Sequence, residues 1–282
     1  MTRVIAIGHT ARDEFAEDGQ SWRLGGTALY AAAATARLGA ETTLITRVGE
    51  AERGALEDRC RELNISLVAL RGIVSTTFVF GADATGHRTL RLRARARGIA
   101  ATDLPPALAQ PDAVVFGSIA HELGDSLYAS FRGAARVVAA QGYLRQWDAD
   151  GSVRPRTWSD PGLVLAEVDA VVVSEEDLAG DDELAPTWSR IAKAAIVVTL
   201  AERGARLWRE GLSLDVPGFP VPVVDQTGAG DAFAAGLAVA LAERRPLRDA
   251  VRFANAVASF AVEGRSTSTL ADRATVDQRL GG

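Results

Sequence analysis

Residues 225–233 read Asp-Gln-Thr-Gly-Ala-Gly-Asp-Ala-Phe and lead into a run of small and apolar residues that extends to 242. Phe233, Leu237 and Leu241 recur at every fourth position, which predicts a helix with one apolar stripe. Glycines with small neighbours at a helix start leave backbone N–H groups uncovered, and together with the positive end of the helix dipole these donors form an anion site. Asp231 lies in the first turn beside that site and indicates phosphate chemistry with a carboxylate base. The alternative is a tight strand-to-helix turn whose acid only stabilises the dipole.

Apolar runs and helical patterns alternate along most of the chain. Short apolar runs without polar alternation are typical of strands that are covered on both faces. Such alternation predicts an α/β fold with a mostly parallel sheet and helices on both sides. The predicted strands are 4–7, 42–48, 114–116, 136–139, 170–173 and 195–200, and the predicted helices are 27–38, 54–63, 125–133, 186–194, 230–242 and 247–263.

Two segments depart from this alternation. Residues 11–24 are short, polar and irregular, whereas residues 76–97 have the pattern of a hairpin with its turn at 83–86. The second hairpin strand places Arg91, Arg93, Arg95 and Arg97 on one face. These arginines form either a cationic wall near phosphates or an acidic substrate, or a solvated edge strand whose charges prevent pairing with other chains.

The composition excludes several classes of function. The chain has 282 residues and a net charge of -5, which disfavours nonspecific binding to nucleic acid or to anionic membranes. Its single cysteine, Cys60, allows no intrachain disulfide and fits a reducing compartment. The longest apolar run, 232–242, is about half the length that a membrane helix needs. We therefore expect a cytoplasmic protein without a signal peptide and without nucleic-acid or membrane partners.

The order D-x-T-G-A-G-D-A-F at 225–233 resembles the signature of the ribokinase / PfkB carbohydrate kinase family. The resemblance implies a three-layer α/β/α ribokinase-like fold with a mostly parallel central sheet and a small β lid. It implies a single domain over residues 1–282, with lid segments at about 11–24 and 75–97. It also implies transfer of the γ-phosphoryl group of ATP to a hydroxyl group, with Asp231 as the catalytic base and Gly228, Ala229 and Gly230 as the anion hole.

The acceptor side of the family motif falls in the first 31 residues. Gly25-Gly26, followed by Thr27 and Tyr30, resembles a helix start at which the backbone approaches substrate hydroxyls. Many members carry Asn where this chain has Tyr30, so the identity of the substrate stays open. Asp13 stands where the family usually has an acid that accepts hydrogen bonds from two hydroxyl groups, a role for which an acceptor-only carboxylate is suited. The alternative for Asp13 is an ordinary loop aspartate.

The donor side of the motif lies in the second half of the chain. The segment 174–177 resembles the family's N-x-x-E motif, which orders Mg²⁺ and phosphate, and Asp177 and Glu176 are its candidate acids, acting through phosphate or water. The alternative is a helix-capping segment. The residues implied to contact the nucleotide are Ser174, Asp177, Thr199, Gly204, Thr227 and Asn255. Some family members bind K⁺ near the position of Asp225, and the sequence leaves K⁺ activation open.

We therefore expect an ATP-dependent kinase for a small sugar or cyclitol, with Mg²⁺ as its cofactor. A nucleoside kinase is the second hypothesis, with aromatic lid residues over the base, namely Phe15, Trp22, Phe78 and Phe80. A catalytically silent sensor that binds a sugar or nucleotide is the third. The chain contains no G-x-x-x-x-G-K-[ST] and no G-x-G-x-x-G, which disfavours a P-loop kinase or a dinucleotide site. Both a monomer and a homodimer remain open.

Overall fold

The computed structural model describes residues 1–15, 21–83, 85–86, 88–265 and 267–282. Residues 16–20 of the predicted first lid segment and Ala84 of the predicted hairpin turn lie outside this description. The helices are α1 (Thr27–Arg37), α2 (Glu50–Glu62), α3 (Ser126–Ala129), α4 (Gly162–Glu167), α5 (Leu184–Ile191), α6 (Ala229–Ala242), α7 (Leu247–Ala261) and α8 (Arg273–Gly281). None of these helices is long and apolar enough to cross a membrane, a finding that covers only the described residues.

A nine-stranded sheet runs through the centre of the molecule. Its strands are β1 (Arg3–Ile7), β4 (Glu41–Gly49), β5 (Ser66–Gly72), β8 (Ala113–Gly117), β9 (Ala135–Ala139), β12 (Ala170–Ser174), β13 (Ala195–Thr199), β14 (Ala205–Arg209) and β15 (Leu212–Val216). Their spatial order is β15-β14-β13-β12-β9-β8-β1-β4-β5. All neighbouring pairs from β13 to β5 are parallel, and β14 and β15 extend one edge in antiparallel fashion.

Helices cover both faces of this sheet, so the molecule has three layers. Along β1, Val4 and Ala6 pack into a core shared with α1, α6 and α7, while Ile5 and Ile7 pack into a second core shared with α3, α4 and α5. Buried apolar residues on both faces of one strand are expected in a parallel sheet that is covered on both sides. The predicted α/β/α architecture is confirmed.

A second sheet of four strands forms the lid. Its strands are β2 (Ala11–Phe15), β3 (Trp22–Gly25), β6 (Thr76–Ala82) and β7 (Arg88–Ala94), in the order β3-β2-β6-β7. A short antiparallel pair, β10 (Arg145–Trp147) with β11 (Val153–Pro155), lies beside β7. The lid packs on the main body through Ala11, Phe78 and Leu92, which are buried against Ile119 and Ala120.

Several predicted boundaries are wrong. The helix predicted at 54–63 already begins at Glu50, where two acids stabilise its positive end. The helix predicted at 125–133 is only Ser126–Ala129, because tighter i→i+3 bonds follow it and Gly133 adopts a positive φ of 99°. The strand predicted to end at residue 200 ends at Thr199. The helix predicted at 186–194 is Leu184–Ile191. Strands β5, β10, β11, β14 and β15 and helices α4 and α8 were not predicted.

Candidate active site

A cavity of about 630 Å³ lies between the carboxyl ends of the parallel strands and the lid. The cavity opens beside β1, where the strand order changes direction. Strands β4 and β5 extend the sheet on one side of β1, and β8 and the strands after it extend the sheet on the other side. Ligands of open α/β sheets bind at such a switch point. The ends of two strands contribute Ser174 and Thr199 to the cavity. The lid contributes an apolar surface that covers the cavity, formed by Phe78, Phe80 and Leu90.

The N-terminus of α6 points its unpaired backbone amides into this cavity. Gly228 precedes the helix with a φ of 83°, and a side chain there would lie 3.3 Å from the ring of Tyr30. The first helical bond is donated by Ala232 to the carbonyl of Gly228, and the amide of Ala229 donates to Gln226 in the preceding turn. The amides of the next two residues in the first turn have no helical carbonyl ahead of them and are available to an anion.

Asp231 is the acid of this first turn, and it lines the cavity. Burial raises the pKa of its carboxyl group to about 6. A hydrogen bond from the Thr27 side chain and the positive charge of Arg145 oppose that rise, whereas the negative charge of Asp177 adds to it. A carboxylate with this pKa is ionised near neutral pH and is a stronger base than an exposed aspartate.

Asp13 lies on β2 of the lid and faces the same cavity. Burial raises its pKa to about 7, Arg145 opposes the rise, and Asp231 adds to it. Gly25 is needed for this placement, because a Cβ atom there would lie 1.9 Å from Asp13 Oδ2. Gly26 has a φ of 100°, and its Cβ would lie 2.5 Å from the carbonyl oxygen of His9. Both glycines therefore serve close backbone approach at the start of α1.

The segment 174–177, at the end of β12, has features of both its interpretations, the capping segment and the N-x-x-E-like motif. Ser174 Oγ donates to Asp177 Oδ2 at 2.7 Å and accepts from the Asp177 amide at 3.0 Å, as in a cap. The residues that follow form turns instead of a helix. Glu175 and Glu176 are both exposed and line the cavity, and Glu175 forms an ion pair with Arg203. Among the described residues no three His, Cys, Asp or Glu side chains are grouped to hold a metal ion by themselves.

The opposite end of the cavity has an apolar wall. Thr199 Oγ1 donates to the carbonyl of Val173, and Gly204 adopts a φ of 94° where its Cβ would lie 2.3 Å from the Gly218 amide. The Thr227 amide donates a hydrogen bond to Asp225 Oδ1 at 2.9 Å.

The apolar wall at this end of the cavity was not predicted from the sequence. It consists of Phe219, Pro220, Val221, Val223, Ala258 and Val262. An apolar wall of this kind suits a ligand with an apolar face.

Asn255 lines the cavity but is already engaged by the backbone. Its Nδ2 donates to the carbonyl oxygens of Val216 and Pro217 at 3.0 and 3.1 Å. These bonds join α7 to the end of β15. Its immediate role is therefore to hold the segment that forms the apolar wall.

Arg145 is a charged residue of the site that the sequence does not predict. It begins β10, lines the cavity, and lies within the electrostatic reach of Asp177, Asp231 and Asp13. Burial lowers the pKa of its guanidinium group, and the three carboxylates oppose that effect. The only signal in the sequence is its place in the loop after the strand 136–139, at the carboxyl edge of the sheet.

Residues 1–274 match the family model described as pfkB family carbohydrate kinase. The chain belongs to this family. It is 31% identical over 239 residues to a fructokinase of Klebsiella pneumoniae, a match that covers 77% of this chain and 76% of the relative. The fold is similar to that of a pyrophosphate-dependent kinase of the ribokinase family, solved with a pyrophosphate analogue and myo-inositol (TM-score 0.80, 21% identity, 98% and 99% of the two chains). It is also similar to ribokinase from Thermotoga maritima (TM-score 0.76, 18% identity, full coverage of both chains).

Membership of the pfkB family makes the chain a carbohydrate kinase, and it confirms the family resemblance and the fold that the sequence predicts. The arginine stripe on and just after β7 lies outside the cavity of this kinase. Its four arginines bind elsewhere in the chain: Arg91 to the carbonyl of Asp150, Arg93 to Glu14, Arg95 to the carbonyls of Ala120 and His121, and Arg97 to Asp103. The stripe therefore acts as a charged edge strand that is tied to its neighbours.

Proposed function

We propose that the chain transfers the γ-phosphoryl group of ATP to a hydroxyl group of a small sugar or cyclitol, with Asp231 as the general base. The observation that carries this proposal is the placement of Asp231 at the open N-terminus of α6, in the same cavity as Asp13. The fructokinase relative and the neighbour solved with myo-inositol support the class of acceptor.

The acceptor binds at the lid end of the cavity in this proposal. Asp13 accepts hydrogen bonds from acceptor hydroxyls, and Gly25, Gly26 and Thr27 bring the start of α1 close to them. Phe78, Phe80 and Leu90 cover the acceptor from the lid and reduce its contact with water. Exclusion of water strengthens every charge interaction at the reacting atoms.

The nucleotide binds along the carboxyl edge of the sheet in this proposal. Its base packs against the apolar wall at Phe219, Val221 and Val223. Its phosphates extend past Thr199, Gly204 and Thr227 towards α6. Mg²⁺ would be held by the phosphates together with Asp177 and Glu176, whose oxygens are of the kind that this ion prefers. The ion would supply charge neutralisation of the donor.

The transfer itself is a single displacement. An acceptor oxygen attacks the γ-phosphorus, the bond to the leaving diphosphate breaks, and the hydroxyl proton moves to Asp231. The amides at the start of α6 stabilise the charge on the transferring group. Asp231 can accept the proton late, because the transition state is loose and needs positioning more than a strong base.

A nucleoside acceptor is the second candidate, favoured by the aromatic lid. Phe78 and Phe80 line the cavity. Phe15 and Trp22 lie instead in a groove on the lid with Arg12 and Glu14. Two of the four predicted aromatic side chains therefore line the cavity, where they would suit the apolar face of a sugar or cyclitol as well as a base.

The test is a turnover assay with ATP or pyrophosphate as the donor across sugars, inositols and nucleosides, with Mg²⁺ and with K⁺ present or replaced by Na⁺. Asp231→Asn should lower kcat by about a thousandfold or more and leave ligand binding within severalfold. Asp249→Asn is the matched control, because Asp249 is an exposed acid at the same third position of α7 and stabilises only a helix dipole. Equal activity in both variants would refute Asp231 as the base.

A further inference from the structure

Arg145 is brought into the cavity by a tightly packed turn. The preceding residues, Gln141–Leu144, form a 3₁₀ turn in which the Gly142 amide donates to the carbonyl of Ser118 at 3.0 Å. A side chain at Gly142 would lie 2.6 Å from Ser118, so the turn lies directly on the end of β8. The carbonyl of Arg145 accepts a hydrogen bond from His121 Nε2 at 2.6 Å. The backbone of Arg145 is therefore fixed from two sides.

The guanidinium group of Arg145 has no partner among the described residues, either in a hydrogen bond or in an ion pair. Other enclosed arginines of this chain are paired: Arg136 binds Glu167, and Arg47 binds Asp103. A guanidinium carries five N–H donors in a fixed fork, and those of Arg145 are open to the cavity, since none of its nitrogens is both buried and unbonded. An unpaired fork that lines a ligand cavity indicates that the ligand supplies the acceptor.

The charges around Arg145 indicate which ligand group this is. Arg145 lines the same cavity as Asp177, Asp231 and the residues at the N-terminus of α6, so it shares the cavity with the anion site. Six carboxylates and one guanidinium line this cavity, so the cavity is negative when all are ionised. A polyphosphate enters such a site only if cations accompany it, and a planar fork matches phosphate oxygens.

We propose that Arg145 binds the transferable phosphoryl group of the donor, together with the N-terminal amides of α6, and stabilises its charge during transfer. This inference rests on the proposed function. An arginine in this role accelerates phosphoryl transfer by about 10³ to 10⁵ in other enzymes, because it acts at the atoms on which charge is spread. Lysine keeps the charge but loses the fork, so it replaces such an arginine only in part.

The first experiment compares Arg145→Gln, Arg145→Lys and the control Arg154→Gln. Arg154 lies on β11, the strand paired with β10, and is exposed in an ion pair with Asp148, so its loss changes the same charge outside the cavity. We expect Arg145→Gln to lower kcat by about a hundredfold or more and Arg145→Lys by about tenfold. KM for a neutral acceptor should change less than threefold in both, and the control should match the wild type.

The second experiment needs no turnover. Calorimetric titration with Mg²⁺ and inorganic pyrophosphate measures the phosphate contact directly, and Arg145→Gln should weaken binding about tenfold while Arg154→Gln leaves it unchanged. The acid limb of the kcat profile should also move to higher pH in Arg145→Gln, because Arg145 lowers the pKa of Asp231. Asp13, Glu175, Glu176, Asp177 and Glu202 are the other acids that line the cavity, and all are retained in the variant.

The outcomes separate the inference from the proposed function. Unchanged kcat and pyrophosphate affinity in Arg145→Gln would overturn the inference alone. A fall in kcat confined to acceptors that carry a carboxylate or phosphate would also overturn the inference, because Arg145 would then bind the acceptor. A wild type that binds pyrophosphate through Arg145 but transfers phosphate to no acceptor would refute the proposed function and support the phosphate contact. A wild type that binds neither pyrophosphate nor ATP would contradict both.

Discussion

Asp13 and Asp231 face one cavity, yet their pKa values are raised to different extents, to about 7 and about 6. Burial is the first cause for both, and Arg145 opposes it for both. Asp231 also accepts a hydrogen bond from Thr27, which favours its charged form, and no such bond lowers the pKa of Asp13. The two carboxylates therefore titrate in sequence, and because they interact, the observed values belong to the pair.

This difference predicts a specific pH dependence. A base must be ionised, so kcat should fall about tenfold per unit as pH decreases below about 6, where Asp231 becomes protonated. The value of kcat/KM should start to fall nearer pH 7, because protonated Asp13 no longer accepts two hydroxyl hydrogen bonds. Rate profiles from pH 5 to 9 test this, and Asp13→Asn should remove the titration near pH 7. An acid limb at the ordinary pKa of aspartate would contradict the prediction.

Gly25 is the residue on which the position of Asp13 depends. In Gly25→Ala the new Cβ would overlap Asp13 Oδ2 at 1.9 Å, so the carboxylate must move away from the acceptor. We expect KM for the acceptor to rise about tenfold to a hundredfold, with KM for the donor within twofold. Gly54→Ala is the control, because Gly54 lies in α2 and an alanine Cβ there would meet no neighbouring atom within 4 Å. Equal rises in both KM values would show a general loss of structure instead.

At the scale of elements, prediction from sequence succeeded where one signal dominated. The bounds of α1, α6 and α7 were predicted within two residues, because each has a strong apolar pattern and a glycine or proline at its start. Strands β14 and β15 were missed because Arg206, Arg209 and Asp215 interrupt their apolar pattern. Their turn at Glu210-Gly211 has positive φ at both residues, a conformation that Asn-Gly would have signalled more clearly.

Asn255 supports a prediction about how α7 holds the apolar wall of the cavity. Replacing Asn255 with Ala removes the donor that both the Val216 and Pro217 carbonyls use, in a buried place. We expect the free energy of unfolding to fall by about 1 to 3 kcal/mol and KM for ATP to rise, with KM for the acceptor unchanged. Urea unfolding and kinetics measure the two effects. Full stability in Asn255→Ala would show that these hydrogen bonds contribute nothing.

Across the whole chain, residues that are far apart in sequence meet in one cavity, and the sequence alone does not show which of them meet. Asp13, Asp177 and Asp231 were found because each lies in or beside a motif, although only the fold brings them to one cavity. Arg145 has no motif, and its position depends on a turn that packs at the end of β8, in a cavity to which carboxylates from three other segments contribute. The apolar wall at Phe219 and Val223 likewise exists only after α7 and the segment after β15 meet.

The lid and the main body share buried residues, and we propose that residues 1–282 fold as one domain on this basis. Leu92 of β7 packs with Ile119 and Ala120, which follow β8 of the central sheet. Leu92→Ala should therefore destabilise the whole molecule by about 2 to 5 kcal/mol, with one transition in urea and an unchanged slope. Leu212→Ala, at an exposed position of β15, is the control and should unfold like the wild type. A lid that folded by itself would instead give an early second transition in Leu92→Ala and leave the main midpoint unchanged, because the lost contact would belong to a separate unit.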